Sequence, residues 1–273
     1  GTLLWTYYSG DSGLATPYGE WPFYQSPNGF TIADGKVIAC TSEHALDAPT
    51  WMGWKLYVIN ATTGECVWNI LGLMQNPVVA DGYLLTLNGY DSRIYCFGKG
   101  NTATTVSAPL TAITQGQSVV IMGTVTDQSP GATGTPAIAD ASMTQWMEYE
   151  YMQKPMPTNA TGVPVSIDVI DANGNYRNIG NATSDTSGMF KFAWEPDIPG
   201  AYTVIATFAG SESYWSSYAE AAFVVDPAAP TASPYPVVNL PPTEMYFAIS
   251  TVAIIIAIAI GFAITILMLR KRP

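Results

Sequence analysis

Few residues in this chain have a chemistry of their own, and they are scattered. Asp171-Ala172-Asn173-Gly174-Asn175 alternates oxygen-bearing side chains like the first half of a calcium loop. The position that needs Gly for the sharp turn is Tyr176, however, and the one that needs a bidentate Glu is Ala182. Asn and Gly tolerate positive φ, so the segment is expected to be a hairpin turn. His44, the single histidine, stands beside Glu43 and Asp47. One imidazole without a second His or a thiolate does not define a transition-metal site, and no Gly-x-Ser-x-Gly elbow supplies a nucleophile for it to activate. Glu148 and Glu150 are expected on a solvated helix or loop edge, and no phosphate-cradling Gly loop occurs. The expectation is therefore no catalytic residue, no metal and no cofactor site within these 273 residues.

The elements that would carry a site show more order. Gly1-Thr2-Leu3-Leu4-Trp5 matches Gly64-Glu65-Cys66-Val67-Trp68, Thr31-Ile32-Ala33-Asp34-Gly35 matches Val78-Val79-Ala80-Asp81-Gly82, and Leu56-Tyr57-Val58 matches Ile94-Tyr95-Cys96, in one conserved order. Each unit reads as four short antiparallel strands, with an Asp-Gly turn, a strand ending in Tyr, a Thr-Gly turn and a strand ending in Trp. Repeated four-stranded units build β-propeller blades. Residues 58–68, VINATTGECVW, resemble the tryptophan-docking repeat of PQQ-type propellers, with Thr63, Gly64 and Trp68 carrying the match and Asn60 standing where the family has Asp. The resemblance covers residues 1–100 and implies the last blades of a longer propeller, with Gly1 a processed or truncated start. It implies no cofactor, since many such propellers bind or scaffold. In a membrane-tethered quinoprotein dehydrogenase, the alternative, PQQ and Ca²⁺ would be held by upstream blades.

The matched spacings shorten along the chain, so the first unit carries extra residues in two connections that leave one face of a blade. These are the segments around Asp11 to Gln25 and Glu43 to Trp54. They hold Trp21, Trp51 and Trp54 with Tyr18, Tyr24 and Met52. Two readings stay open: an aromatic binding patch, or rings that pack the long loops together. Cys40, Cys66 and Cys96 fall on blade strands at positions whose repeat partners are apolar, so buried free thiols are expected.

Residues 101–226 change texture. TTVSAP, GQSVVIMGTVTD, VPVSIDVID, GMFKFAWEP, GAYTVIATFAG and AEAAFVVDP are six strand candidates with period-two alternation, which predicts an antiparallel sandwich. Gln117-Ser118-Val119, Ser187-Gly188 and Pro199-Gly200-Ala201-Tyr202 resemble Ig-like modules of prokaryotic surface proteins, without the Cys-Trp-Cys core of antibody domains. An insert, 132–162, holds a helix that Asp140 could cap, with Met143, Trp146, Met147 and Tyr151 along one face. That face could bind a partner or cover an open end of the sandwich.

Residues 246–269 carry no charge and are long enough to cross a bilayer, so membrane lipid is an expected partner. Arg270, Lys271 and Arg272 follow, and in the tail 270–273 they place the C-terminus in the cytoplasm and everything upstream outside. Pro227, Pro230, Pro234, Pro236, Pro241 and Pro242 make 227–245 an extended stalk. The sequons at Asn60, Asn159 and Asn181 suit an exported, N-glycosylated chain. With 10 basic and 21 acidic residues and a net charge of −11, the chain has no basic stripe with which to neutralise phosphates, so nucleic acid is excluded as a partner. Charged residues are only 11% and there are 24 Gly and 20 Pro, which excludes a coiled coil or helix bundle. The fold class expected is an all-β ectodomain of partial propeller blades and a sandwich, with one C-terminal transmembrane helix. The arrangement resembles single-pass surface proteins of archaea, anchored in the cell membrane. It implies a non-enzymatic binding or scaffolding role toward an envelope protein or glycan.

Overall fold

The computed structural model describes residues 1–23, 30–41, 53–230 and 243–271. The chain is built mainly from β-sheets, four in number among the described residues, with one long apolar helix at the C-terminal end.

The first sheet is an antiparallel meander of β1 (Phe30–Ala33), β2 (Lys36–Cys40), β3 (Lys55–Asn60) and β4 (Cys66–Leu71), in spatial order β1-β2-β3-β4. The second repeats its first three strands as β5 (Met74–Ala80), β6 (Tyr83–Asn88) and β7 (Arg93–Phe97). The Asp-Gly turns are tight because Asp34 and Asp81 each take φ 50° ahead of a positive-φ Gly. Ile38, Cys40, Leu56, Val58 and Ile70 of the first sheet share one core with Met74 and Leu84 of the second. The Thr31 hydroxyl donates to the Pro77 carbonyl across the join.

Two further sheets enclose a separate core. One orders β13-β10-β8 and the other β12-β11-β14-β15-β9, from β8 (Thr102–Ser107), β9 (Ile113–Thr114), β10 (Val119–Asp127), β11 (Pro164–Ile170), β12 (Tyr176–Thr183), β13 (Met189–Trp194), β14 (Gly200–Phe208) and β15 (Ser217–Asp226). Alternation decides which side chains face inward. Val119, Ile121 and Val125 of β10 meet Val165, Ile167 and Val169 of β11 and Tyr202, Val204, Ala206 and Phe208 of β14, making a β-sandwich. The six strands expected from alternation are present. β12 and the two-residue β9, which pairs parallel to β15, are additions.

Residues 1–228 form one compact unit and residues 229–273 a second. Within the first, α1 (Asp140–Met152) lies in the expected insert. In the second, α2 (Thr243–Arg270) begins upstream of the apolar run, with Glu244 in its first turn and Arg270 in its last, both favourable to the helix dipole. At 28 residues it is long and apolar enough to cross a membrane. Most of the expected Pro-rich stalk lies outside the described residues.

Candidate functional site

The Thr-Gly turn of the first sheet is built from its own side chains. The Asn60 amide oxygen accepts the backbone N–H of Thr62 at 2.8 Å and of Thr63 at 3.0 Å, so Asn performs the turn-closing task that Asp would. The Thr63 hydroxyl donates to Glu65 at 3.2 Å and accepts the Glu65 N–H at 3.3 Å. Gly64 sits at φ +78° beneath the Trp5 ring, and a Cβ there would stand 2.6 Å from Trp5 Cγ. The Trp5 indole N–H donates to the Ala61 carbonyl at 3.0 Å. Trp5 thus docks on the turn between β3 and β4, and its repeat partner Trp68 packs on Phe97 of the second sheet at 5.2 Å. Sequence matching found Trp5 as a repeat position but not its seat. The signal was the glycine 59 residues away, forced into a left-handed conformation.

The two long connections also meet. Trp21 covers Gly53, where a Cβ would fall 2.0 Å from its ring, and the Ser9 hydroxyl donates to the Trp21 carbonyl at 2.6 Å. Thr41 bridges to Phe23, and its hydroxyl donates to the Gly53 carbonyl at 2.5 Å. Trp21 and Trp54 are half-buried while Tyr18 is exposed. Trp51, Tyr24, Met52 and His44 lie outside the described residues. Tyr7, Phe23 and Tyr57 form an edge-to-face cluster, and the Tyr57 hydroxyl donates to the Ser9 carbonyl at 2.8 Å. Burial pushes the Tyr7 phenol up, and Cys66 beside it adds to the shift.

Helix α1 joins the two meander sheets to the sandwich. Met143 packs on the sandwich core, whereas Met147 and Met152 pack on the core of the two meander sheets. The single apolar face expected from spacing is therefore shared between two cores, and Trp146 on the same helix is buried. Glu148 is not on a solvated edge, because its carboxylate accepts the Leu71 N–H of β4 at 3.0 Å. The Thr144 hydroxyl donates to the Asn69 carbonyl at 3.0 Å. Glu150 is half-buried, and desolvation raises its carboxyl, offset in part by Thr135 and the Trp146 indole and reinforced by Asp127. Burial pushes the neighbouring Tyr151 phenol up to about 12, with Glu150 and Asp127 adding to it.

Asp140 does not cap α1. It is the first helical residue, after Ala139, and its carboxylate turns to the 211–213 loop. There it accepts the Ser211 hydroxyl at 2.8 Å, the Glu212 N–H at 3.0 Å and the Ser213 N–H at 3.0 Å. Burial opposes its ionisation, but these donors win and its pKa is lowered.

Only Cys40 is a buried thiol, and burial pushes it up to about 12. Cys66 and Cys96 are exposed, contrary to expectation. Cys66 opens the edge strand β4, and Cys96 faces outward from β7, where no sheet lies over it among the described residues. Asp171 closes the β11–β12 hairpin. Its carboxylate accepts the Asn173 and Asn175 N–H groups at 2.8 and 3.0 Å, and the Asn175 amide N–H also at 3.0 Å. Asn159 and Asn181 are exposed, while Asn60 is half-buried with its amide oxygen engaged. Among the described residues no three His, Cys, Asp or Glu side chains group as metal ligands. The chain matches no protein-family model and no curated protein.

Proposed function

We propose that the chain is a membrane-anchored cell-surface protein that presents a β-propeller as a binding or scaffolding module and performs no chemistry of its own. The observation that carries this reading is the docking of Trp5 on Gly64, together with the repeat it belongs to. The seat ties the Trp5 segment, which is not itself a strand, to the turn of the first sheet, the contact by which successive blades can be stacked in register. Two meander sheets are part of a ring, since propellers close with about four to eight blades, and the remaining blades belong to the same envelope protein. Helix α2 supports the anchor, with Arg270, Lys271 and Arg272 on the cytoplasmic side and residues 1–228 outside. The partner is an envelope protein or glycan, met by the loops that carry Trp21, Trp51 and Trp54. Asn159 and Asn181 are the accessible glycosylation acceptors and Asn60 the restricted one.

The test is protease treatment of intact cells carrying the chain with an epitope after Pro273. External protease removes residues 1–228 and leaves a protected fragment containing α2 and the epitope. A tag cut in intact cells, or a chain washed from the membrane by alkaline carbonate, overturns the anchoring and the orientation.

A further inference from the structure

The second sheet repeats more than the strands of the first. It also repeats the face that the first sheet buries. Aligned through the Asp-Gly turns, Ile38 and Cys40 of β2 correspond to Leu85 and Leu87 of β6. Aligned through the Tyr strands, Leu56 and Val58 of β3 correspond to Ile94 and Cys96 of β7. In each sheet the four stand on one face: Ile38 is opposite Val58 and Cys40 opposite Leu56, as Leu85 is opposite Cys96 and Leu87 opposite Ile94. In the first sheet these residues are 4, 0, 0 and 3% exposed, because the second sheet covers them. In the second sheet Leu87 is 37% and Ile94 74% exposed, and Val78 of β5, opposite Leu85, is 54%. Val78, Leu85, Leu87, Ile94 and Cys96 form one apolar patch, bordered by Gln75 of β5 opposite Leu87.

We infer that this face is an interface for one further four-stranded sheet of the same repeat, seated as the second sheet is seated on the first. Burying aliphatic side chains is the driving force, and the equivalence fixes the geometry. The interface continues one already present, sheet on sheet, through matching positions. The open edge of β7 points the same way: its counterpart β3 is paired to β4, the strand that carries Trp68, whereas β7 pairs only with β6 among the described residues. A second copy of this chain is not the occupant. The face it would have to offer, Ala39, Tyr57 and Ile59, is already buried at 1, 4 and 2% exposure, beneath the segment that carries Trp5, Tyr7 and Phe23. The inference rests on the blade reading of the repeat, not on the membrane topology.

Cys96 is a built-in reporter of the face. In a Cys66→Ser background it is the one exposed thiol, since Cys40 is buried. Maleimide labelling of Cys96 is compared between the 273-residue chain alone in detergent and the protein in the membranes of cells that make it, opened on both sides so that orientation has no effect. We expect fast labelling of the chain alone. In native membranes labelling should slow about tenfold for each 1.4 kcal/mol by which the contact resists opening, with fast labelling restored by Ile94→Asp. A benzophenone side chain at position 94 should crosslink to a Tyr-bearing strand of a sheet with Asp-Gly and Thr-Gly turns. Equal labelling in the two samples overturns the inference. So does a crosslink to lipid, to another copy of this chain or to a protein without such repeats. These results leave the protease test of anchoring untouched, so the two failures are told apart.

Discussion

Replacing Gly64 by Ala tests whether the Thr-Gly turn exists to seat a tryptophan. At φ +78° an Ala pays left-handed strain of about 1 kcal/mol. Its Cβ would also lie 2.6, 2.7 and 2.8 Å from Trp5 Cγ, Cδ2 and Cβ, so the indole must leave. Departure breaks the 3.0 Å bond from Trp5 Nε1 to the Ala61 carbonyl, worth about 1 kcal/mol. It also exposes part of a half-buried indole, worth about 1–2 kcal/mol. Gly64→Ala should therefore cost about 3–4 kcal/mol, taking these contributions together. Gly35→Ala is the control: at φ +66° it bears similar strain, but a Cβ there has nothing within 4 Å, so its cost should stay near about 1 kcal/mol. In a Trp5→Ala background Gly64→Ala should also fall to about 1 kcal/mol, which leaves about 2–3 kcal/mol of coupling between the two positions. Urea unfolding followed by circular dichroism on the chain in detergent measures all four corners of the cycle. If Gly64→Ala costs the same with and without Trp5, or no more than Gly35→Ala, the docking argument is wrong.

Other expectations use the junction, the thiols and the anchor. Glu148→Ala strands the part-buried Leu71 N–H and should destabilise by about 1–3 kcal/mol, read by the same urea assay, with Glu148→Gln losing less because its amide oxygen can still accept. Asp140 and Glu150 should give opposite pH signatures in thermal melts. Asp140 has a lowered pKa, so its stabilisation is present above its ordinary 3.8 and lost as pH falls through its folded value; Asp140→Asn should melt lower than wild type at pH 7 and converge with it in acid. Glu150 has a raised pKa, so stability declines as pH rises from its ordinary 4.5 through its folded value; Glu150→Gln should melt higher than wild type at pH 7 and no higher below 4.5. A thiol reagent should modify Cys66 and Cys96 in the folded chain and reach Cys40 only after denaturation. Ile256→Asp adds about 2.5–3.5 kcal/mol to insertion of α2 and should shift the chain from the membrane pellet to the supernatant.

The sandwich was legible wherever one side of a strand is core and the other is solvent. β10, β11 and β14 alternate because Val, Ile and aromatic residues face inward at every second place. β12 escaped notice because it lies at the edge of its sheet and reads Tyr-Arg-Asn-Ile-Gly-Asn-Ala-Thr, with Asn and Arg on both sides and a register shift opposite Ile167 and Asp168. Helix α1 was visible as a helix, but not its partners. The Glu148 contact to Leu71 and the Asp140 contacts to 211–213 join residues about seventy positions apart, and nothing in the local pattern marks them. A carboxylate that closes a strand and one that stands in solvent look identical in sequence.

The thiols show why burial could not be carried from one repeat to the next. Val58 and Cys96 occupy the same place on equivalent strands, yet one is buried and the other exposed. The residue type reports what a position was selected to touch, and the sheet above it decides whether the contact is made. Where strand, turn and face all repeat but the covering sheet does not, the exposed apolar side chains are better read as half of a contact than as a surface in its own right. The same reasoning bears on Trp21 and Trp54. Both belong to loops that the repeat does not require, and one of them already has a glycine beneath it at Gly53. The Trp21 ring holds the two long connections together, so a ligand recognised there would meet a side chain already held in place, with little entropy left to lose.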